Sequence, residues 1–177
     1  LDADATKKNM IEQMNAVIAR AKGGSAVITY SGHGTWVPDD DGDEADGRDE
    51  ALCPCDLATN GPLLDDELYT IFSSAQPGTR VIFISDSCHS GTVSRVAAPL
   101  ASAEHAPRNR YMPLEAFVSD QVRLDRALRV ERKAVRGKSR VTALLMAACR
   151  DTQTSADAYL NERFRGAYTA AALAALA

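Results

Sequence analysis

The 177-residue chain has no apolar run long enough to cross a membrane: the longest, 141–149 and the Ala-rich 167–177, fall short of the roughly 20 residues a bilayer span needs. Cysteine is scarce. Cys53, Cys55, Cys88 and Cys149 are too few for a disulfide framework in a chain of this size, and no segment reads as an apolar leader, so a reducing, cytoplasmic setting is expected. Eleven Gly and seven Pro exclude a collagen-like or low-complexity chain, and 45% apolar residues exclude uniform disorder. The formal charge, 20 minus 24 or -4, gives no reason to expect nucleic acid as a partner. What remains is an ordinary soluble globular protein long enough for one domain with a real core.

Charge is unevenly spread. Eight carboxylates crowd residues 39–50, and eleven of the twenty Lys and Arg lie in 95–140. The first residue is not Met, a helix signal opens the chain, and it stops inside an Ala-rich run. It is therefore expected to be a fragment of a longer polypeptide.

Hydrophobic periodicity supplies the elements. Met10, Ile11, Met14, Val17, Ile18 and Ala21 follow the spacing of a helix with one buried face, with Asp4 expected to cap its start and Gly23-Gly24 to end it. Residues 25–30, 81–85 and 141–148 read as short strands buried on both sides. Asp65-Asp66 ahead of Leu68, Ile71 and Phe72 predict a short helix with carboxylates at its positive end. Residues 115–132 read as a basic helix, and 166–177 as a last one. Strands alternating with helices predict an α/β fold with a mainly parallel central sheet and helices on both faces. Three strands are few for such a sheet, so its N-terminal strands are expected to lie outside this chain.

In sheets of this kind ligands gather beyond the carboxyl ends of the strands. The first strand runs into Tyr30-Ser31-Gly32-His33-Gly34, and the second into Ser85-Asp86-Ser87-Cys88-His89-Ser90-Gly91. Each loop thus offers one half of a thiol nucleophile and imidazole pair, which adjacent strands can bring together. Gly32 and Gly34 allow close approach of backbone and substrate, and the amides of Gly34 and Cys88 are candidate donors to an oxyanion. Asp86 lies two residues before Cys88 and so leans to the same side, where it would meet a cationic side chain. His89 alternates away from Cys88 and is the weaker base.

Taken together these residues resemble the histidine and cysteine motifs of metacaspases, the caspase-like cysteine peptidases. Asp46-Gly47-Arg48-Asp49-Glu50, Leu64-Asp65-Asp66-Glu67-Leu68 and Cys149-Arg150-Asp151-Thr152-Gln153-Thr154-Ser155-Ala156-Asp157 resemble further family segments in the same order. The resemblance implies a caspase-like three-layer sandwich, Cys88 as nucleophile, His33 as its acid and base partner, and cleavage after Arg or Lys. It implies Asp86 and Ser31 as pocket residues for the basic side chain, and a further pocket acid on a segment preceding this chain. No cofactor is required by that chemistry. Family calcium ligands correspond to Asp49, Asp65 and Asp66, and carboxylates suit a hard cation. The fourth ligand position is Arg95, a cation, and the acidic run lacks EF-hand spacing.

Cys53-Pro54-Cys55 has too short a spacing for a zinc pair and is expected to be a strand placing both thiols on one face. The basic stretch at about 95–140 reads as a solvated insert in a single domain spanning residues 1–177, with self-processing at Arg108, Arg110, Arg132 or Lys133 as an alternative use. The partners expected are protein or peptide substrates, with no nucleic acid and no membrane, and the protein is expected to act as a monomer. Two other classes compete: a catalytically silent caspase-fold binding or regulatory module, and a metal-dependent hydrolase using the acidic loop.

Overall fold

The structure, a computed structural model, describes residues 2–38, 47–88, 106–113, 116–117, 143–149, 155–160 and 162–175. Helix α1, Lys7–Ala21, starts two residues later than an Asp4 cap would place it. Thr6 is extended, and its Oγ1 accepts the Asn9 amide at 3.2 Å, whereas Asp4 belongs to a short 3-10 turn. A hydroxyl at the N-cap satisfies one of the amides a helix start leaves open. Asp56 satisfies another from across the fold, its Oδ1 accepting the Lys7 amide at 2.8 Å. The helix ends with Lys22 in the left-handed region, followed by Gly23.

Strands β1 (Ser25–Ser31), β5 (Arg80–Asp86) and β7 (Ala143–Ala147) form a parallel sheet in the order β1-β5-β7. Alternation sends Ala26, Ile28, Val81 and Phe83 to one face, where Met14 and Ile18 of α1 and Leu68, Ile71 and Phe72 of α3 (Asp65–Ser73) cover them. The Phe72 and Phe83 rings pack at 5.3 Å. Fully burying side chains of this size stabilises the fold by roughly 1.5–3 kcal/mol each, so this layer is the main core. The opposite face differs from the expectation of strands buried on both sides: Val27, Leu144 and Met146 are exposed. β7 is the last strand of the sheet, and its neighbour Leu145 is exposed as well. The basic helix expected at 115–132 lies outside the described residues except for 116–117. No helix among the described residues is long and apolar enough to cross a membrane.

Two small antiparallel sheets flank the parallel one. β2 (Gly34–Pro38), β3 (Arg48–Leu52) and β4 (Leu63–Leu64) pair in that order; β6 (Arg108–Asn109), β8 (Ala156–Leu160) and β9 (Arg163–Gly166) pair as β6-β8-β9. Cys53-Pro54-Cys55 is not a strand. It is a turn leading from β3 into the one-turn helix α2 (Leu57–Asn60), because Pro54 has no amide to give a ladder. Cys53 is half-buried and Cys55 exposed. The chain ends in α4, Ala167–Ala175, which follows β9 directly.

Candidate active site

The parallel register of β1 and β5 decides what meets at the sheet edge. Its last pair is Ser31 with Asp86, and the Gly32 amide still reaches the Asp86 carbonyl at 3.4 Å. His33 and Cys88 each lie two residues past that pair, on neighbouring strand ends. His33 is exposed and Cys88 fully buried.

The His33 loop is clamped through its backbone. The His33 carbonyl accepts the Tyr30 hydroxyl at 2.7 Å and the Cys53 amide at 3.0 Å, and the same amide lies 3.2 Å from the Tyr30 oxygen. Burial drives the Tyr30 phenol well above its usual range, so it remains a donor throughout the neutral range. Gly32 is required by this clamp: a β-carbon there would stand 2.6 Å from the Tyr30 hydroxyl oxygen. Burial also pushes the Cys53 thiol up to about 12.

Asp86 is held on both carboxylate oxygens. Its Oδ1 accepts the Ser155 hydroxyl at 3.0 Å; its Oδ2 accepts the Thr169 amide at 3.0 Å and hydroxyl at 2.5 Å. The Arg110 guanidinium completes the shell, with Nη1 at 3.4 Å from Oδ1, a further bond to the Asp86 carbonyl, and 2.9 Å to the Ser31 hydroxyl. The other side of the same guanidinium meets Asp157, whose Oδ1 accepts Nε at 3.0 Å and Nη2 at 2.5 Å. Gly166 makes room, since a β-carbon there would come within 1.9 Å of Asp86 Oδ2.

Ser31 and Asp86, assigned from the sequence to a pocket for a basic side chain, therefore do converge on a guanidinium. That group belongs to the chain itself. Arg110 is buried, which corrects the reading of its segment as a solvated insert at this residue. Asp157, Ser155 and Thr169 were not singled out by sequence reasoning. The first two lay within the segment that begins at Cys149; nothing in the sequence marked Thr169.

The Gly34 amide donates to the carbonyl oxygen of Arg110 at 2.8 Å, within the parallel bridge that pairs Gly34 with Tyr111. Cys149 lies beside Ser87, as the pairing of Ser85 with Ala147 requires, and its thiol donates to the Ser87 carbonyl at 3.4 Å. A hydrogen bond to Cys88, with burial second, raises Cys149 far above the ordinary thiol range. His89 and Arg95 lie outside the described residues.

The calcium positions are less convergent. Asp49 sits on β3 opposite Val37, and Asp65 and Asp66 open α3. Consecutive helical residues diverge by about 100°, and among the described residues no group of three His, Cys, Asp or Glu gathers into a metal-holding set.

A parallel sheet with an imidazole and a thiol just past adjacent strand ends, beside the buried carboxylate of Asp86, has the layout of a caspase-like hydrolase. Residues 1–97 match the family described as metacaspase, peptidase C14 domain. The chain is 44% identical over 90 residues to Metacaspase-1A of Neurospora crassa, covering 50% of this chain and 20% of that protein. It is 33% identical over 196 residues to Metacaspase-1 of Coccidioides immitis, covering 97% of this chain and 42% of that one. The crystal structure of protein GSU0716 from Geobacter sulfurreducens is similar with a TM-score of 0.70 and 34% identity, covering 98% of this chain and 62% of that one. The chain belongs to the metacaspase family of C14 peptidases. The matched stretches amount to less than half the length of these two curated relatives.

Proposed function

We propose that this chain is the catalytic part of a cysteine endopeptidase that cleaves after Arg or Lys through Cys88 and His33. The observation that supports the reading is the Ser31-Asp86 register: His33 and Cys88 each follow that strand pair by two residues, and Ser31 and Asp86 both contact a guanidinium. In the reaction, His33 takes the Cys88 proton as sulfur attacks the carbonyl carbon following the bound basic side chain. The Gly34 amide, with that of Cys88, stabilises the oxyanion. The imidazolium then protonates the leaving amine, and water activated by the neutral imidazole hydrolyses the thioester, returning the thiol.

Asp86 supplies the charge that selects the substrate, and Tyr30 holds the loop that carries the base. Proteins or peptides with accessible Arg or Lys are the substrates this chemistry takes. No step is routed through calcium.

The test is hydrolysis of matched peptidyl-Arg, peptidyl-Lys and peptidyl-Asp amides by the full-length protein, with and without calcium. Cleavage of the basic reporters that is lost in Cys88→Ala supports the reading. Activity that survives Cys88→Ala but is lost on chelation would instead identify a metal-dependent hydrolase, and no cleavage of any reporter by folded protein would leave a binding module.

A further inference from the structure

We infer that β6 and Arg110 form an intramolecular pseudosubstrate, seated in the cleft where an arginyl peptide would bind, so that a substrate must displace them. The inference rests on the Arg- or Lys-directed reading of the cleft given above.

The side chain and the backbone point the same way. Arg110 is only 7% exposed, and its guanidinium contacts both residues assigned to the basic pocket, Ser31 and Asp86, with Asp157 as a second acid. Its carbonyl oxygen lies on the Gly34 amide at 2.8 Å, the donor assigned to the oxyanion. Its own amide donates to the Ser155 carbonyl at 3.2 Å, and the two preceding residues pair antiparallel with β8, Asn109 with Ala156 and Arg108 with Asp157. An extended segment that adds to a strand edge while one side chain fills a charged pocket is how peptides are commonly held by β-augmentation.

The segment is held on its far side too. Tyr111 bridges to Gly34, and the Met112 amide donates to the Gly34 carbonyl at 2.8 Å. Chain on both sides of Arg110 is thus anchored, as suits an occupant that stays. β6 itself is only two residues long, and short elements of this kind can open without unfolding of the whole domain. Cys88 itself has no exposed surface.

Asp157 adds a specificity consequence. Its contact to Arg110 runs partly through Nε, an atom that lysine lacks, so the cleft emptied of Arg110 favours Arg over Lys.

The experiment compares full-length wild type with Arg110→Ala, using peptidyl-Arg and peptidyl-Lys amide reporters, and measures thermal stabilisation by agmatine as a free guanidinium probe. If the cleft is open in about a tenth of wild-type molecules, apparent substrate affinity is weakened by about tenfold. Arg110→Ala is then expected to lower KM for the Arg reporter by about that factor without lowering kcat, and agmatine to raise the melting temperature of the variant more than that of wild type. A folded Arg110→Ala protein with unchanged KM and no added agmatine response overturns the inference while leaving the peptidase reading intact. Reporters left uncut by both proteins, with agmatine still stabilising the variant selectively, overturn the peptidase reading and the pseudosubstrate role with it, leaving Arg110 as the occupant of a guanidinium site. Should Arg110→Ala fail to fold, Arg110→Lys retains the charge but not the Nε contact to Asp157. It is expected to lower KM by a smaller factor, and an unchanged KM in that variant overturns the inference.

Discussion

Ser31 and Asp86 are direct partners in the parallel ladder of β1 and β5, and each stands two residues ahead of one member of the proposed catalytic pair. In parallel strands the side-chain period of two carries that relationship forward, so residues sharing an offset from one pair stay neighbours. Register sets side by side the two strand ends that lead into His33 and Cys88, which are 55 residues apart in the chain.

Replacing His33 by Ala is expected to lower kcat on a basic peptide reporter by about 10²–10⁴, the usual contribution of a positioned acid and base. Cys88→Ala removes the nucleophile and should abolish turnover. Steady-state rates on the same reporter check both, and a His33→Ala variant with wild-type kcat would remove His33 from the mechanism.

Tyr30→Phe removes the hydroxyl that meets the His33 carbonyl at 2.7 Å while the Cys53 amide remains. One buried hydrogen bond of this kind contributes about 1 kcal/mol. The expected result is a modest fall in stability by chemical denaturation and a reduced kcat with KM unchanged, because the base is displaced and the pocket is not touched. Loss confined to KM would place Tyr30 in binding.

Gly166→Ala puts a methyl group where Asp86 Oδ2 stands 1.9 Å away. Overpacking of this severity costs about 1–3 kcal/mol and should push the carboxylate off Thr169 and Arg110. The variant is expected to melt earlier and to lose cleavage after Arg. Unchanged melting and activity would show that Asp86 can move without consequence.

Stability should fall in alkali. Burial holds the Cys53 thiol protonated up to about 12 in the folded protein, whereas an unfolded thiol ionises near pH 8.5. Between those values the unfolded chain binds fewer protons than the native one, so unfolding becomes easier as pH rises. Tyr30 and Cys149, both raised, add in the same direction. Urea denaturation at pH 8 and pH 10.5 is expected to show lower stability at the higher value, with a smaller drop in Cys53→Ala. Equal drops in both proteins would take Cys53 out of the effect.

Much of the fold was legible because its strongest elements carry dense local signals. The apolar spacing from Met10 to Ala21 marked α1, and the runs at Val27 and Val81 marked two strands of the parallel sheet. The antiparallel strands were not legible. β3 reads Arg-Asp-Glu-Ala-Leu and β6 is two residues long, so neither shows the alternation that identifies a strand, and both exist because a partner strand lies alongside. Asp4 lost the α1 cap to Thr6 because capping depends on an extended backbone directly before the first turn, which residue type alone does not specify.

His33, Cys88 and Asp86 were singled out by residue type at a strand end, because thiol, imidazole and carboxylate have few substitutes in this chemistry, whereas Ser31 came only from the family resemblance. The occupant of the pocket was not. Arg110 looks in sequence like one cation among eleven in a basic stretch, and its burial against Asp86 and Asp157 depends on residues 24 and 47 positions away. Local composition determined which groups were present and which segments bury an apolar face. Whether a given charge faces water or fills a pocket was decided only when distant strands met, because the desolvation of a guanidinium is offset by partners that the chain brings together solely in three dimensions.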